Sequence, residues 1–272
     1  MKVGTYEVDG RYVPAVFHPE SGTVTVYQGS TVEELLEAAT AGETPGTEGE
    51  EMELDETRVG PPVPRPPKLI CFGLNYREHV EELKEMGMTL PDEPVMTMKA
   101  PTTVIGNYDT VLLPRDVGRV DHELELAVVI GRRCRKVTPD EARERVAGCT
   151  VINDVTARDV EKKEGQWVRA KSYDTFAPLG PWVETEVDPT EGLDMILKIN
   201  GSVRQRGNTA DMVKDPYELV SFTSHVMTLE PGDVIATGTP PGVGPMGPGD
   251  RVELEIEGVG RLIHHVESET GR

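Results

Sequence analysis

The sequence has no apolar run long enough to span a bilayer, and its first ten residues lack the apolar stretch of a secretion signal. We therefore expect a cytoplasmic protein with no membrane partner. Positive charge is also scarce, because 28 Lys and Arg residues stand against 48 Asp and Glu residues, a net charge of −20. So acidic a chain is not expected to bind nucleic acid, and the same charge is compatible with a high-salt habitat.

Cysteine is rare, and the three residues Cys71, Cys134 and Cys149 form no C-x-x-C pair. An odd number without such a pair predicts structural thiols in a reducing compartment. The composition, with 37% hydrophobic and 28% charged residues, is typical of a globular protein with a sizeable core. A length of 272 residues allows one large domain with a small appendage.

A stiff, proline-rich stretch divides the chain. We predict a small β-rich N-terminal region at residues 1–60, a proline-rich linker at residues 61–67 and a main domain at residues 68–272. Throughout the chain, short strand patterns outnumber helical ones. This predicts an α+β fold that is mostly β, rather than a β-α repeat.

Capping signals predict helices at residues 31–41 and 138–146, and a further helix is predicted at residues 215–228. Residues 104–113 suggest a pair of strands around an Asn-Tyr-Asp turn. Residues 161–176 are predicted to form a polar loop.

Two carboxylates stand side by side in the run V-D-H-E-L-E-L-A-V-V-I-G, which begins at Val120. Strand alternation places Glu123 and Glu125 on one face, with Asp121 as a further acid on that face. Asp154 ends a separate apolar strand. Three such carboxylates would form an oxygen-only site that suits Mg²⁺, Mn²⁺ or Ca²⁺ and disfavours zinc or copper. The alternative is a solvent-facing strand edge with ordinary surface acids.

Other polar residues could assist such a site. His79 and Glu82 are three residues apart on a predicted helix, where a carboxylate can orient an imidazole as a general base. Arg158 and Lys171 could hold a substrate carboxylate. Each set has an alternative. His79 and Glu82 could be ordinary surface residues of a densely charged helix, and Arg158 and Lys171 could be solvated surface cations.

A turn rich in glycine and proline, A-T-G-T-P-P-G-V-G, follows a predicted strand at residues 236–244. Its backbone N–H groups, such as that of Gly238, and the Thr239 hydroxyl could bind a developing oxyanion. It is not a phosphate loop, because G-K-[ST] is absent. A purely structural turn is the alternative.

Together and in this order, these segments resemble the fumarylacetoacetate hydrolase family. The matching segments are G-L-N-Y-R-E-H-V-E-E, D-H-E-L-E-L-A-V-V-I-G, N-D-V-T-A-R-D, A-K-S-Y-D-T-F-A-P-L-G-P-W and A-T-G-T-P-P-G-V-G. The similarity extends from about Lys68 to Val266. It implies a mixed β-sandwich roll with short helices, a small N-terminal region and a homodimer.

The resemblance also implies nine site residues. The metal ligands would be Glu123, Glu125 and Asp154. The catalytic residues would be His79, Glu82 and Lys171, and the substrate contacts would be Arg158, Gly238 and Thr239. The implied cofactor is Mg²⁺ or Mn²⁺. One position departs from the pattern, because Glu161 stands where some members carry Gln. Its charge would repel an acid group, which disfavours a fumarylacetoacetate-type substrate.

We therefore expect a metal-dependent hydrolase that cleaves a C–C bond in a small, anionic 2,4-dioxo acid of the acylpyruvate type, through a metal-bound enolate. The alternative is a decarboxylase or isomerase of an unsaturated or 2-oxo dicarboxylic acid, such as oxaloacetate or 2-hydroxyhepta-2,4-diene-1,7-dioate. A binding protein without catalysis is a third hypothesis. The pairing of His79 with Glu82 argues against it, since binding alone needs no base.

Overall fold

The structure, a computed structural model, describes residues 1–43, 45, 48–78, 93 and 95–270. Its strands are β1 (Lys2–Val8), β2 (Arg11–His18), β3 (Thr23–Val26), β4 (Glu50–Glu53), β5 (Leu69–Gly73), β6 (Val95–Lys99), β7 (Val104–Ile105), β8 (Thr110–Leu113), β9 (Val120–His122), β10 (Leu124–Ile130), β11 (Val146–Asn153), β12 (Thr156–Ala157), β13 (Ala177–Glu184), β14 (Asp194–Ile199), β15 (Ser202–Asn208), β16 (Val234–Ala236), β17 (Gly244–Pro245), β18 (Arg251–Ile256) and β19 (Gly260–Ser268).

The helices within these described ranges are short. They are α1 (Val32–Ala41), α2 (Pro139–Arg143), α3 (Arg158–Glu164), α4 (Trp167–Lys171) and α5 (Pro216–Val226), with 3₁₀ turns at Glu56–Arg58, Pro101–Thr103 and Thr209–Asp211. No helix among the described residues is both long enough and apolar enough to cross a membrane.

The described strands form three sheets. The largest has the order β4-β3-β2-β1-β13-β11-β10-β16-β5-β6, with β7 paired to β13. A five-stranded sheet has the order β15-β14-β18-β19-β8, and a small sheet has the order β12-β9-β17. Parallel and antiparallel pairs occur in the same sheets. The prediction of a mostly β, mixed fold is confirmed.

Strand β10 separates two cores. Leu126 and Val128 face the five-stranded sheet, in a cluster that contains Leu197 and Leu254. Ala127 and Val129, on the opposite face, belong to a second cluster, which includes buried residues of α1. A strand buried on both faces reads as a continuous apolar run, which is the pattern from Leu126 onward.

Helix α1 follows the sequence prediction closely. The Thr31 hydroxyl accepts from the Glu34 N–H at 3.2 Å, and the Glu34 carboxylate accepts from the Thr31 N–H at 2.9 Å. Gly42 ends the helix with φ of 70°, a left-handed conformation that glycine adopts without strain. The buried side chains of Leu35 and Leu36 in α1 pack on the large sheet.

The prediction of a strand pair at residues 104–113 is wrong. Strand β7 pairs in parallel with β13, whereas β8 pairs in parallel with β19, in a different sheet. The intervening turn carries the chain between sheets, because the Tyr108 N–H donates to the Ile263 carbonyl and the Asp109 carboxylate accepts from the Gly106 N–H. A turn motif in the sequence predicts that the chain changes direction, but it does not determine which strands pair.

One helix prediction and one loop prediction also need correction. The helix capped by Thr138 ends at Arg143, and Val146 already belongs to β11. The predicted polar loop at residues 161–176 contains the end of α3 and all of α4. Helix α3 has seven residues and α4 has five, so neither is long enough for a clear apolar periodicity in the sequence. The helix predicted at residues 215–228 is confirmed as α5.

The N-terminal strands extend the large sheet. Strand β1 pairs with β2 and also with β13, where Val3 lies opposite Val183. The division of the chain at residues 61–67 stays a prediction.

A close contact between β11 and β13 supplies a test of the fold. A Cβ atom added at Gly148 would lie 2.1 Å from the Glu184 carbonyl oxygen, whereas one added at Gly247 would meet nothing closer than 3.8 Å. We expect Gly148→Ala to lower the free energy of unfolding by about 2 kcal/mol, because backbone must shift to admit the methyl group. Gly247→Ala is the control, and urea unfolding is the measurement. Equal stability of the two variants would contradict the described packing.

Candidate metal centre

Strand register brings three buried carboxylates together. In the antiparallel pair of β10 and β11, Leu124 lies opposite Asn153. The same register places Glu123, just before β10, opposite Asp154, just after β11, and the Asp154 N–H donates to the Glu123 carbonyl at 2.9 Å. Opposite residues share a face of a sheet, as do residues two apart in a strand. Glu125 therefore joins the other two on one face.

These three side chains form an oxygen-only cluster. One carboxylate oxygen from each of Glu123, Glu125 and Asp154 lies within 4.8 Å of the others. All three residues are buried. Carboxylates that are buried together repel one another unless positive charge compensates them. The arrangement can therefore hold a divalent cation, and the assignment of these residues as its ligands remains a prediction.

Two buried lysines supply positive charge beside the cluster. The Lys171 ammonium donates to Asp154 at 2.5 Å, to Glu123 at 3.0 Å and to the Thr156 hydroxyl at 2.9 Å. The Lys99 ammonium donates to the other Asp154 oxygen at 2.6 Å and to the Val155 carbonyl at 3.0 Å. Asp154 is thus held through both of its oxygens.

The charges are matched at Asp154 and unmatched at Glu125. Burial opposes the charged form of Asp154, but the ammonium groups of Lys171 and Lys99 outweigh it and lower the pKa of Asp154 to about 2. Burial alone would lower the pKa of Lys171, yet Asp154 and Glu123 hold that pKa well above its usual value. Burial, reinforced by the Asp154 charge, raises the pKa of Glu125 well above its usual value.

Arg158 forms a second layer of charge around Glu123. Its guanidinium donates to Asp121 at 2.9 Å, to Glu161 at 2.5 Å and to Glu123. Asp121 also accepts from Arg119 at 2.6 Å. The Glu161 charge is therefore paired with Arg158, which weakens its expected repulsion of an acidic substrate.

The turn after β16 closes the cluster on the side of Glu125. The Gly238 N–H donates to the Glu125 carboxylate at 2.7 Å. Gly238 has φ of +99°, and an added Cβ atom would lie 3.0 Å from that of Asn75, so both conformation and space require glycine here. Among the described residues, Glu125 accepts a hydrogen bond from Gly238 alone. This N–H thus orients a predicted ligand, while the predicted contact of Gly238 with substrate stays untested.

A cavity of about 730 Å³ opens over the cluster. Its wall includes Glu123, Glu125, Arg158, Lys171 and Thr239, which the sequence singled out, together with the ring of Trp167. Asp154 lies beneath, buried by its two lysines. The predicted dyad of His79 and Glu82 falls outside the described residues.

Sequence reasoning missed two polar residues near the cluster. Lys99 ends β6, in the segment V-M-T-M-K, and its buried ammonium reaches Asp154. Gln205 lies on β15, and its buried side chain reaches both Thr239 and the backbone of Leu124. A single charged residue at the end of an apolar strand was a usable signal for Lys99. Gln205 sits in a polar strand, S-V-R-Q-R-G-N, and carries no comparable signal.

The fold is mostly β, and three converging carboxylates and a buried lysine lie at a cavity with room for a small molecule. The family model described as fumarylacetoacetate (FAA) hydrolase C-terminal matches residues 68–267. The chain belongs to the fumarylacetoacetate hydrolase family.

Relatives with different activities resemble almost the whole chain. It is 38% identical over 271 residues to 2,4-didehydro-3-deoxy-L-rhamnonate hydrolase from Sphingomonas sp. (strain SKA58), covering 96% of this chain and 94% of that protein. The structure of 5-carboxymethyl-2-hydroxymuconate delta-isomerase from Mycobacterium smegmatis matches with a TM-score of 0.84 and 38% identity over 100% of both chains. Maleylpyruvate hydrolase from Sphingobium sp. SYK-6, in complex with manganese (II) ion and pyruvate, matches with a TM-score of 0.81 and 31% identity over 99% of this chain and 100% of that one.

The ligand prediction can be tested by titration calorimetry with Mn²⁺ and Mg²⁺. We expect the wild-type protein to bind one ion per chain, and we expect Glu125→Ala or Asp154→Ala to abolish binding because each removes an oxygen ligand. Glu184→Ala removes a buried glutamate of β13 that pairs with Lys2 instead, and serves as the control. Retained binding in both ligand variants would place the ion elsewhere.

The role of Lys99 can be tested by thermal unfolding. In Lys99→Met, Asp154 loses one of its two ammonium partners. We therefore expect the free energy of unfolding, measured without metal, to fall by about 3 kcal/mol. Mn²⁺ should raise Tm more in this variant than in the wild type, because the ion would replace the missing charge. Lys163→Met, at an exposed position of α3, is the control. An equal rise in all three proteins would show that Lys99 does not compensate the cluster.

Proposed function

We propose that this protein is a divalent-metal-dependent hydrolase that cleaves a C–C bond in a small 2,4-dioxo acid. The observation that carries the proposal is the convergence of Glu123, Glu125 and Asp154, with oxygens within 4.8 Å, beside a cavity lined by cationic side chains. Three carboxylates and no nitrogen or sulfur ligand suit a hard cation. Mg²⁺ or Mn²⁺ is the proposed cofactor.

The residues present fit such an ion. Glu125 has one oxygen that accepts no hydrogen bond from any described residue, so this oxygen is free to act as a ligand. Glu123 and Asp154 would complete a set of three protein ligands and leave other coordination positions for substrate or water. When bound, the cation would act as a Lewis acid that stabilises negative charge on substrate oxygens.

The remaining side chains would then act on the substrate. Lys171, held between Glu123 and Asp154, places a fixed positive charge where enolate charge develops. The Arg158 guanidinium, in the cavity wall, would bind the substrate carboxylate. His79, which Glu82 is predicted to orient, would take a proton from the water that attacks the distal carbonyl. That attack breaks the C3–C4 bond, and the electron pair passes to the pyruvate fragment as its enolate. A proton taken up at C3 then completes pyruvate, and the other fragment leaves as a carboxylic acid.

Two relatives support this choice of substrate class. The name of the Sphingomonas hydrolase describes a sugar acid oxidised at C2 and C4, which is a 2,4-dioxo acid. The Sphingobium hydrolase was solved with manganese and pyruvate. A substrate that yields pyruvate by hydrolysis is therefore the proposed ligand of this site, bound as a small anion.

A second candidate is an isomerase or decarboxylase of an unsaturated or 2-oxo dicarboxylic acid. Extra cations at the cavity favour it, because Arg119 and Lys162 line the wall in addition to Arg158 and Lys171 and could bind a second carboxylate. Both reactions pass through the same kind of enolate as the hydrolysis, and neither needs an attacking water.

Product analysis distinguishes the candidates. The purified protein with Mn²⁺ would be incubated separately with acetylpyruvate, oxaloacetate and 2-hydroxyhepta-2,4-diene-1,7-dioate. We expect equimolar pyruvate and acetate from acetylpyruvate, because water attacks C4 and the C3–C4 bond breaks. Boiled protein and protein with excess chelator are the controls. If acetylpyruvate yields no acetate, and the protein only decarboxylates oxaloacetate to pyruvate and carbon dioxide or only isomerises the dienedioate, the hydrolase proposal is wrong.

The proposed base gives a further test. We expect His79→Ala to bind Mn²⁺ with unchanged stoichiometry and to lose at least about a hundredfold in kcat for acetylpyruvate, because no group would take the proton from water. Glu78→Gln, at the neighbouring exposed position, is the control and should keep its activity. Unchanged turnover in His79→Ala would remove His79 from the mechanism, and binding without catalysis in the wild type would favour a binding protein.

A further inference from the structure

Gln205 makes hydrogen bonds that determine the orientation of its side-chain amide. Its oxygen accepts from the Leu124 backbone N–H at 3.0 Å, and its nitrogen donates to the Pro240 carbonyl at 2.8 Å. A backbone N–H can only donate and a backbone carbonyl can only accept. These two partners therefore fix which end of the amide is oxygen and which is nitrogen, without reference to any other side chain.

The amide orientation then determines the roles of two further groups. The His122 Nδ1 atom lies 2.8 Å from the Gln205 oxygen, so it must carry a proton and donate it. The second N–H of the Gln205 amide points to the Thr239 hydroxyl oxygen at 2.8 Å, so that oxygen must accept. Both donors and both acceptor sites of the amide are thus in use.

The Thr239 hydroxyl is left with a proton to donate. Because its oxygen accepts from Gln205, this proton cannot point back along the same line. Within the described ranges no residue accepts it, since the bond from Gln205 is the only one that the hydroxyl makes there. Thr239 is half-buried in the wall of the 730 Å³ cavity, together with Glu125 and Lys171. The hydroxyl hydrogen is therefore available to a molecule in the cavity.

We propose that Gln205 is a positioning residue that turns the Thr239 hydroxyl into a hydrogen-bond donor for an anionic oxygen of the substrate. Gln205 itself is 1% exposed and does not line the cavity, so it acts through Thr239. The proposal rests on the proposed function, because it takes the ligand to be a 2-oxo acid. One donor of the site would thus be set by a residue on β15, in the five-stranded sheet.

Gln205→Glu is the informative substitution. The carboxylate has the same shape and can still accept from Leu124 and His122, but while ionised it cannot donate to the Thr239 hydroxyl or to the Pro240 carbonyl. The hydroxyl would then donate to the new carboxylate and no longer to the ligand. A donor lost from an anionic ligand corresponds to about tenfold in Kd.

A double-mutant cycle separates this role from a structural one. Kd for pyruvate would be measured by calorimetry with Mn²⁺ present, for the wild type, Gln205→Glu, Thr239→Val and the double variant. We expect each single variant to weaken binding about tenfold and the double variant to resemble Thr239→Val, because both changes remove the same hydrogen bond. Thr239→Ser should restore most of the affinity. Val203→Thr, an exposed position of the same strand, is the control.

The outcomes separate the two proposals. Additive losses in the cycle, or an unchanged Kd in Gln205→Glu, would overturn the positioning role and leave the proposed function intact. Pyruvate binding with the expected coupling but without turnover of any 2,4-dioxo acid would overturn the proposed function alone. If the wild type binds neither pyruvate nor oxaloacetate, both the positioning role and the proposed function are overturned. Thermal unfolding of each variant shows whether a loss of affinity reflects a loss of fold.

Discussion

The site depends on the balance of charge among three buried carboxylates and two buried ammonium groups. Glu123, Glu125 and Asp154 are buried and repel one another, and Lys171 and Lys99 compensate only part of that repulsion. The uncompensated group is Glu125, whose one partner among the described residues is a backbone N–H. A buried carboxylate in that condition favours either a proton or a cation. The proposed metal would supply the missing positive charge at this point.

The sheets provide the geometry that this balance needs. Glu123 lies between β9 and β10, which pair with strands of different sheets, so the chain changes partners at the residue that carries the ligand. Asp154 follows β11 at the opposite position, and Gly238 follows β16 on the other side of β10. Glu123, Asp154 and Gly238 thus lie at the ends of adjacent strands, where rigid neighbours hold side chains that must otherwise repel. The same strand ends face the cavity. The pairing of these strands therefore positions both the predicted metal ligands and the predicted substrate contacts.

Part of this arrangement was predictable from the sequence. Alternation in D-H-E-L-E-L placed Glu123 and Glu125 on one face, and the end of an apolar run marked Asp154, because both signals are local. The register that sets Glu123 against Asp154 is not local, and neither is the transfer of the chain between sheets at residues 106–109. The ion pair of Glu161 with Arg158 weakens the repulsion that the Glu161 charge was expected to exert on an acidic substrate. Lys99 and Gln205 act across the fold, at sequence separations of 55 from Asp154 and 34 from Thr239.

The most direct test of the central claim is a crystal structure of the protein grown with Mn²⁺, with anomalous scattering recorded to locate the ion. We expect one anomalous peak per chain, at a distance of about 2.0–2.3 Å from an oxygen of each of Glu123, Glu125 and Asp154. A fully occupied peak at another position, or no peak in this cluster at saturating Mn²⁺, would contradict the account.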